Sequence, residues 1–295
     1  MVTLLEIRPL LLAQKERISI KDNAMTAVIL PVYQADTVDY LRLSVESITA
    51  QTTADDCLLI GVDGPVGKEL KAYIGQLEGR SDIRVTWFPD NRGLACVLND
   101  LLDICFKEGY EYIARMDADD ISLPDRLEKQ ADFLRNHPEI DVVGGAIEEI
   151  DERGESRNKT IVYPETPQAC RDFFARRNPH AHPAVMFRRR FFEKAGCKYR
   201  PEYRQNQDTM LWFDGMMRGT QHANLPDVVL KFRMTDSLFK KRRNGWAFAK
   251  KQLTDRFTIN RGLGYGPGAY VFGVAMFCLL VSPAWLKRIA YRAFR

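Results

Sequence analysis

The sequence predicts an α/β fold built on a doubly wound, Rossmann-like and mostly parallel sheet. Short β-branched apolar runs recur through the first half without polar alternation, as in strands buried on both faces. Segments with apolar residues at spacings of three and four separate them, and polar or Gly/Pro signals close each run. Four such strand and helix units in succession argue for parallel order.

Thr26 to Val32 is the first strand, and Val38, Leu41, Val45 and Ile48 mark one face of a helix running from Thr37 to near Ala50. Leu58 to Val62 is a second strand, closed by Asp63-Gly64-Pro65. Ile83 to Phe88 is a third, after which Asn91 and Gly93 precede a helix with Leu94, Val97, Leu98, Leu101, Leu102 and Cys105 on its apolar face. Tyr112 to Met116 is the fourth and runs directly into Asp117-Ala118-Asp119-Asp120. In such sheets ligands sit beyond the carboxyl ends of the strands, which singles out Tyr33, Asp63, Asn91, Arg92, Gly93, Asp117 and Asp119.

Composition bounds the rest. A chain of 295 residues with 45% hydrophobic positions can bury a sizeable core, and ordinary Gly and Pro usage excludes a low-complexity or collagen-like chain. The net charge of +4 hides an asymmetry: the first 150 residues carry 15 Lys and Arg against 27 Asp and Glu, the remainder 28 against 12. An acidic half suits a cation, and a basic half suits phosphates or an anionic surface. Six scattered cysteines without C-x-x-C spacing speak against a disulfide framework or zinc site. Neither G-x-G-x-x-G after the first strand nor a P-loop occurs, so dinucleotide and P-loop readings lose their support.

Three aspartates in four residues repel one another unless a divalent cation joins them, and oxygen ligands suit Mg²⁺ or Mn²⁺. The plainer alternative is an acidic loop in which Asp120 or Ser122 caps a helix opened by Pro124. Asp63 equally suits a turn residue, Asn91 an N-cap, and Asp208 an N-cap for the helix bearing Leu211 and Trp212.

The motifs VILPVY (28–33), GVDGP (61–65), NRGLA (91–95), RMDADD (115–120), HPAVMFRR (182–189) and QDTMLW (207–212) occur in this order. Together they resemble those of the inverting glycosyltransferases of family 2, the GT-A type found in bacterial O-antigen and exopolysaccharide assembly. The resemblance covers roughly residues 25 to 235, with HPAVMFRR as a central strand. It implies that Pro31 and Tyr33 wall the nucleobase site, that Asp63 accepts a hydrogen bond from the base, and that Asn91, Arg92 and Gly93 face the diphosphate of a UDP-sugar. Asp117 is then expected at the ribose, Asp119 at the cation, and Asp208 as the base that deprotonates the acceptor. His182 and Trp212 fall on the acceptor side. Gln207 and Val62 depart from the family, which more often places acids there. Metal ligation by His180 and His182 is the lesser alternative to an acceptor loop, and Arg188, Arg189 and Arg190 suit either a solvated face or a diphosphate-bearing acceptor.

Three regions are expected: a leader over 1–24, with Met25 as an alternative start; a GT-A domain over 25–235, divided into a nucleotide-sugar half (25–122) and an acceptor half (123–235); and a basic, apolar membrane-associating region over 236–295. Gly262 to Leu286 carries no charge, and basic residues flank it on both sides. That pattern suits a re-entrant or in-plane helix against anionic lipid at the cytoplasmic face of the inner membrane, the alternative being a buried core helix. The expected partners are a UDP-sugar, a lipid-diphosphate-linked saccharide and the membrane surface. No recognised nucleic-acid motif accompanies the basic charge. A nucleotidyltransferase would want a Gly-rich basic loop after the first strand, which Tyr33-Gln34-Ala35-Asp36 does not supply; a membrane-bound scaffold is the non-enzymatic alternative.

Overall fold

A computed structural model describes residues 24–235 and 246–282. Residues 1–23 of the expected leader, the Lys240–Arg243 run and the chain beyond Ser282 lie outside the described residues. The expected units appear in order: β1 Thr26–Tyr33, α1 Val38–Thr49, β2 Cys57–Asp63, α2 Lys68–Leu77, β3 Ile83–Phe88, α3 Leu94–Glu108 and β4 Tyr112–Arg115. Thr37 caps α1 by accepting the Tyr40 N–H, as its β-region backbone and hydroxyl suit.

The chain continues with β5 Ile121–Ser122, α4 Arg126–Asn136, β6 Val142–Ile150, β7 Ser156–Ile161 and α5 Pro167–Phe174. A 3₁₀ turn at His182–Ala184, β8 Met186–Arg188, α6 Arg190–Ala195, α7 Gln207–Met217, β9 His222–Arg233, α8 Trp246–Gly262 and α9 Pro267–Val281 complete it.

The nine strands form one mixed sheet in the order β3-β2-β1-β4-β8-β6-β9-β5, with β7 paired to β6. β3, β2, β1 and β4 are parallel, as the repeated units require. β8 then joins antiparallel to β4 and β6, so the unbroken parallel run ends where the alternating pattern stops, and β6 is again parallel to β9. HPAVMFRR therefore supplies only a three-residue strand, because Pro183 bends His182–Ala184 into the 3₁₀ turn. Likewise α4 opens at Arg126 behind Asp125 in left-handed backbone, and neither Asp120 nor Ser122 caps it.

Alternation along β1 builds the core on both faces of the sheet. Val28, Leu30 and Val32 pack with Leu41, Val45 and Ile48 of α1, while Ala27 and Ile29 pack with Val97, Leu98, Leu101 and Leu102 of α3. Gly61 lets α3 approach β2, since a Cβ there would stand 2.6 Å from Val97 Cγ1.

Trp212 belongs to this core rather than to an acceptor surface. It is fully buried on α7, with ring centroids 5.1 Å from His180 and 5.6 Å from Phe187. The acceptor assignment of Trp212 is therefore corrected: α7 turns this face toward the sheet, and an indole of that size has no solvent-facing edge. Arg188 and Arg190 are also structural, donating to the Leu134 and Ile140 carbonyls and, for Arg190, to Asp141.

The C-terminal helices pair as a hairpin, with Trp246 against Phe277 at 5.1 Å and Phe257 against Tyr270 at 5.2 Å between centroids. Among the described residues no helix is long and apolar enough to cross a membrane.

Truncating Trp212 to Ala should lower unfolding stability by about 3–5 kcal/mol, the cost of emptying a buried aromatic site. Urea titration checks this; a change under about 0.5 kcal/mol would place Trp212 outside the core.

Candidate active site

Four strand ends converge on one edge of the sheet. Tyr33 closes β1 in register with Asp63 of β2, which faces Phe88 of β3. β4 pairs with β1 through Ile29 and Arg115, so Asp117 leaves the sheet beside Pro31 and Tyr33. The Ser44 hydroxyl on α1 donates to the Asp117 carbonyl at 2.9 Å and holds that exit.

Asp117, Asp119 and Asp120 bring carboxylate oxygens within 4.8 Å of one another. Asp117 pairs with the buried Arg115 guanidinium at 2.5 Å. Burial and the neighbouring Asp117 charge push Asp119 up to about 6. Burial and both neighbouring carboxylates raise Asp120 far above the ordinary range. Asp120 Oδ1 accepts the Arg233 N–H at 2.8 Å, whereas Oδ2 is buried without a hydrogen-bond partner, as are Nε and Nη1 of Arg115. Carboxylates crowded, desolvated and incompletely bonded fit a divalent cation, with Asp119 and Asp120 positioned to hold it.

Asp63 is buried and does more than turn the chain. Its two oxygens accept the N–H groups of Arg92 and Gly93, each at 2.8 Å. Each oxygen keeps a second lone pair for another donor. These bonds correct the expectation that the Arg92 and Gly93 amides face a diphosphate, because Asp63 already uses them. Arg92 is likewise turned away, paired with Asp100 and stacked 4.8 Å over Phe88. Asn91 is no N-cap: its side chain donates to the Asp63 carbonyl at 3.1 Å, and Gly93, with φ +92°, occupies the cap position.

Asp208 sits in the first turn of α7, behind Asn206 rather than at the cap. Asn178 Nδ2 donates to its Oδ2 at 2.9 Å and to Thr209 Oγ1 at 2.9 Å, so the carboxylate is oriented from a separate loop. Tyr199 is buried nearby, and burial raises its hydroxyl far above the ordinary range while the Arg115 charge opposes that rise. Asn99 of α3 clasps the Tyr199 backbone through both N–H and C=O.

His182 is corrected in role. It is 8% exposed and meets the Tyr199 hydroxyl at 2.7 Å, so it backs Tyr199 instead of facing an acceptor. His180 joins a buried chain through Asn224 and His222, and desolvation lowers it to about 4. That ring is neutral and fully engaged. Sequence reasoning missed Asn178, Tyr199 and the orienting role of Asn99; only the polar character of Asn99 on an otherwise apolar helix face hinted at its contact.

The model of the family described as "Glycosyl transferase family 2" matches residues 27–196. Amylovoran biosynthesis glycosyltransferase AmsE of Erwinia amylovora is 34% identical over 229 residues, which is 78% of this chain and 83% of that protein. UDP-Gal:alpha-D-GlcNAc-diphosphoundecaprenol beta-1,3-galactosyltransferase of Escherichia coli is 26% identical over 249 residues, covering 81% and 85%. The crystal structure of S. aureus TarS 1-349 in complex with UDP-GlcNAc has a TM-score of 0.61 at 12% identity, covering 90% of this chain and 83% of that one. That last likeness is one of fold.

A raised Asp119 has a thermal consequence. From about 3.8, its ordinary value, to about 6, the folded chain keeps a proton that the unfolded chain releases. Ionisation therefore costs folding stability as pH rises through that window, and a bound cation relieves the cost while competing with the proton. Mn²⁺ should raise the melting temperature more at pH 7.5 than at pH 5; equal increments by scanning calorimetry would contradict metal binding at this cluster.

Proposed function

The chain belongs to glycosyl transferase family 2, and from that membership we propose that it transfers a sugar, with inversion, from a UDP-sugar to a lipid-diphosphate-linked saccharide in bacterial surface polysaccharide assembly. The observation that carries the donor side is the meeting of Tyr33, Asp63 and the Asp117–Asp120 carboxylates at one sheet edge. The acceptor class is supported by the E. coli relative, which is named for transfer to a GlcNAc-diphosphoundecaprenol.

Tyr33 and Pro31 flank the base, and the remaining lone pairs of Asp63 accept from it. Asp117 meets the ribose while Arg115 fixes its carboxylate. When held by Asp119 and Asp120, Mg²⁺ or Mn²⁺ supplies positive charge to the leaving diphosphate. Asp208, oriented by Asn178, takes the proton of the acceptor hydroxyl as its oxygen attacks the anomeric carbon from the face opposite UDP.

The hairpin is proposed to lie in the plane of the cytoplasmic leaflet. α9 carries no charged residue, and Val271, Val274, Met276 and Val281 on it are 68%, 45%, 38% and 39% exposed. Such a surface is costly in water and matches the acyl boundary of a bilayer.

Asp208→Asn should keep UDP affinity while turnover falls roughly 10²–10⁴-fold, and Asp119→Ala should abolish metal-dependent UDP binding. Calorimetry and transfer of labelled sugar from a UDP-sugar panel to a lipid-diphosphate acceptor check both. Full turnover in Asp208→Asn would remove the base assignment. Val271→Asp with Val274→Asp should reduce flotation of the full chain with anionic vesicles at high salt; unchanged flotation would refute docking through α9.

A further inference from the structure

The Asp208 carboxylate is held in two ways. Asn178 donates to one of its oxygens and so sets the rotation of the side chain. The turn that carries Asp208 is set from elsewhere. α7 opens at Asn206, whose carbonyl accepts the Met210 N–H at 3.0 Å and closes the first turn of the helix around Asp208. An asparagine at this position ordinarily has extended backbone and turns its side chain back to the free N–H groups of the helix. Asn206 does neither: its φ is +62°, in the left-handed region, and its side chain makes no cap hydrogen bond to α7. Left-handed backbone outside glycine persists where surrounding contacts hold it.

Those contacts come from α8. Asn206 Nδ2 donates to Asp255 Oδ2 at 3.1 Å, and Asn206 Oδ1 accepts from Gln252 Nε2 at 2.7 Å, so both ends of the amide are spent on one helix. The Tyr203 hydroxyl donates to Asp255 Oδ1 at 3.3 Å. Lys251 donates to that same oxygen at 3.4 Å and covers the Tyr203 ring at 3.6 Å. Asp255 is buried, which a carboxylate tolerates where donors such as these surround it. α8 is itself seated on α7: Ile259 and Leu263 share a core cluster with Phe213 and Met216, and a Cβ on Gly262 would stand 2.6 Å from Phe213 Cε2. Arg200, at the start of the same lead-in, makes a two-pronged pair with Asp214 of α7 at 2.8 and 2.6 Å. The segment 200–206 is thus fastened between two helices, and Asp255 is its fixed point on α8.

We propose that Asp255 is a positioning residue for sugar transfer: from α8 it holds Asn206, and through Asn206 it keeps the first turn of α7 where Asp208 can reach the acceptor hydroxyl. The proposal rests on the assignment of Asp208 as the base. Asp255 touches neither substrate nor a reacting atom, and its effect is on distance. A base must meet its proton at hydrogen-bond separation, and a displacement of about 1 Å at such a contact costs on the order of 10²-fold in rate. Tyr33, Asp63 and Asp119, on the donor side, stand on other elements, so the loss of Asp255 is expected in turnover and not in UDP affinity.

The test is a mutant cycle on the full chain, read by UDP calorimetry with Mn²⁺ and by transfer of labelled sugar from the UDP-sugar panel to a lipid-diphosphate acceptor. Asp255→Ala should leave UDP affinity within about twofold of wild type and lower kcat roughly ten- to hundredfold. Gln252→Ala, at a less buried position, should lower kcat in the same direction by less. In an Asp208→Asn background, Asp255→Ala should change kcat by less than about twofold, because its route of action is already gone. Should Asp255→Ala fail to fold, Asp255→Asn, which keeps an acceptor oxygen, carries the same cycle. Unchanged kcat on loss of Asp255, an equal loss of UDP affinity, or a loss that multiplies in full with that of Asp208→Asn would overturn the role of Asp255 and leave the base assignment standing. Full turnover in Asp208→Asn, or no transfer by the wild type, would instead overturn the reading beneath the proposal, and the proposal with it.

Discussion

Burying acid at the end of a strand is the constraint from which the rest of this structure follows. Asp120 is 1% exposed, and Asp117 and Asp119 crowd beside it. Such a group of carboxylates persists only where cations and N–H donors surround it. Three arginines, each at most 2% exposed, do so from three different elements: Arg115 from β4, Arg126 from α4 and Arg233 from β9. Arg126 donates to the Arg115 and Val185 carbonyls and, through its Nε, to Gln130, whose amide in turn holds the Ala184 carbonyl. Arg233 grips the Asp119, Asp151 and Glu152 carbonyls and lies 4.2 Å over the Tyr40 ring. The acidic loop is thereby fixed to α1, to the 3₁₀ turn before β8 and to β9, which is why chain segments more than a hundred residues apart meet at one edge of the sheet.

What the sequence discloses and conceals follows the range of the interactions. β1, β2, β3 and β4 were legible because burial on both faces writes itself as unbroken apolar runs, and α1 and α3 because their apolar spacing is local. The acidic loop was legible because like charges in sequence must be close in space. Trp212 and His182 misled for the opposite reason: an aromatic or imidazole beside a recognised motif reads the same whether its ring turns inward or outward, and only the packing of α7 on β8 decides. Arg92 misled because the pull of Asp100, eight residues on along α3, outweighs a ligand site that sequence proximity suggests.

Other features leave no local trace. Asn99 and Tyr199 are 100 positions apart and Asn178 and Asp208 are 30 apart, and nothing in any of these segments announces its partner. The hairpin of α8 and α9 reads from sequence as a candidate membrane segment, yet Asp255, 5% exposed within α8, also anchors Tyr203 and Asn206. The helix pair therefore reaches the loop that leads into Asp208, so the surface proposed to meet lipid and the carboxylate proposed as base are tied to one frame.

The account depends on the Asp117–Asp120 loop holding a divalent cation against a nucleotide diphosphate. Crystals of the full chain grown with UDP and Mn²⁺ and measured at the manganese absorption edge address it directly. An anomalous peak within coordination distance of Asp119 and of the UDP phosphates is predicted. A peak elsewhere, or UDP bound at this edge with no anomalous signal beside these carboxylates, would contradict it.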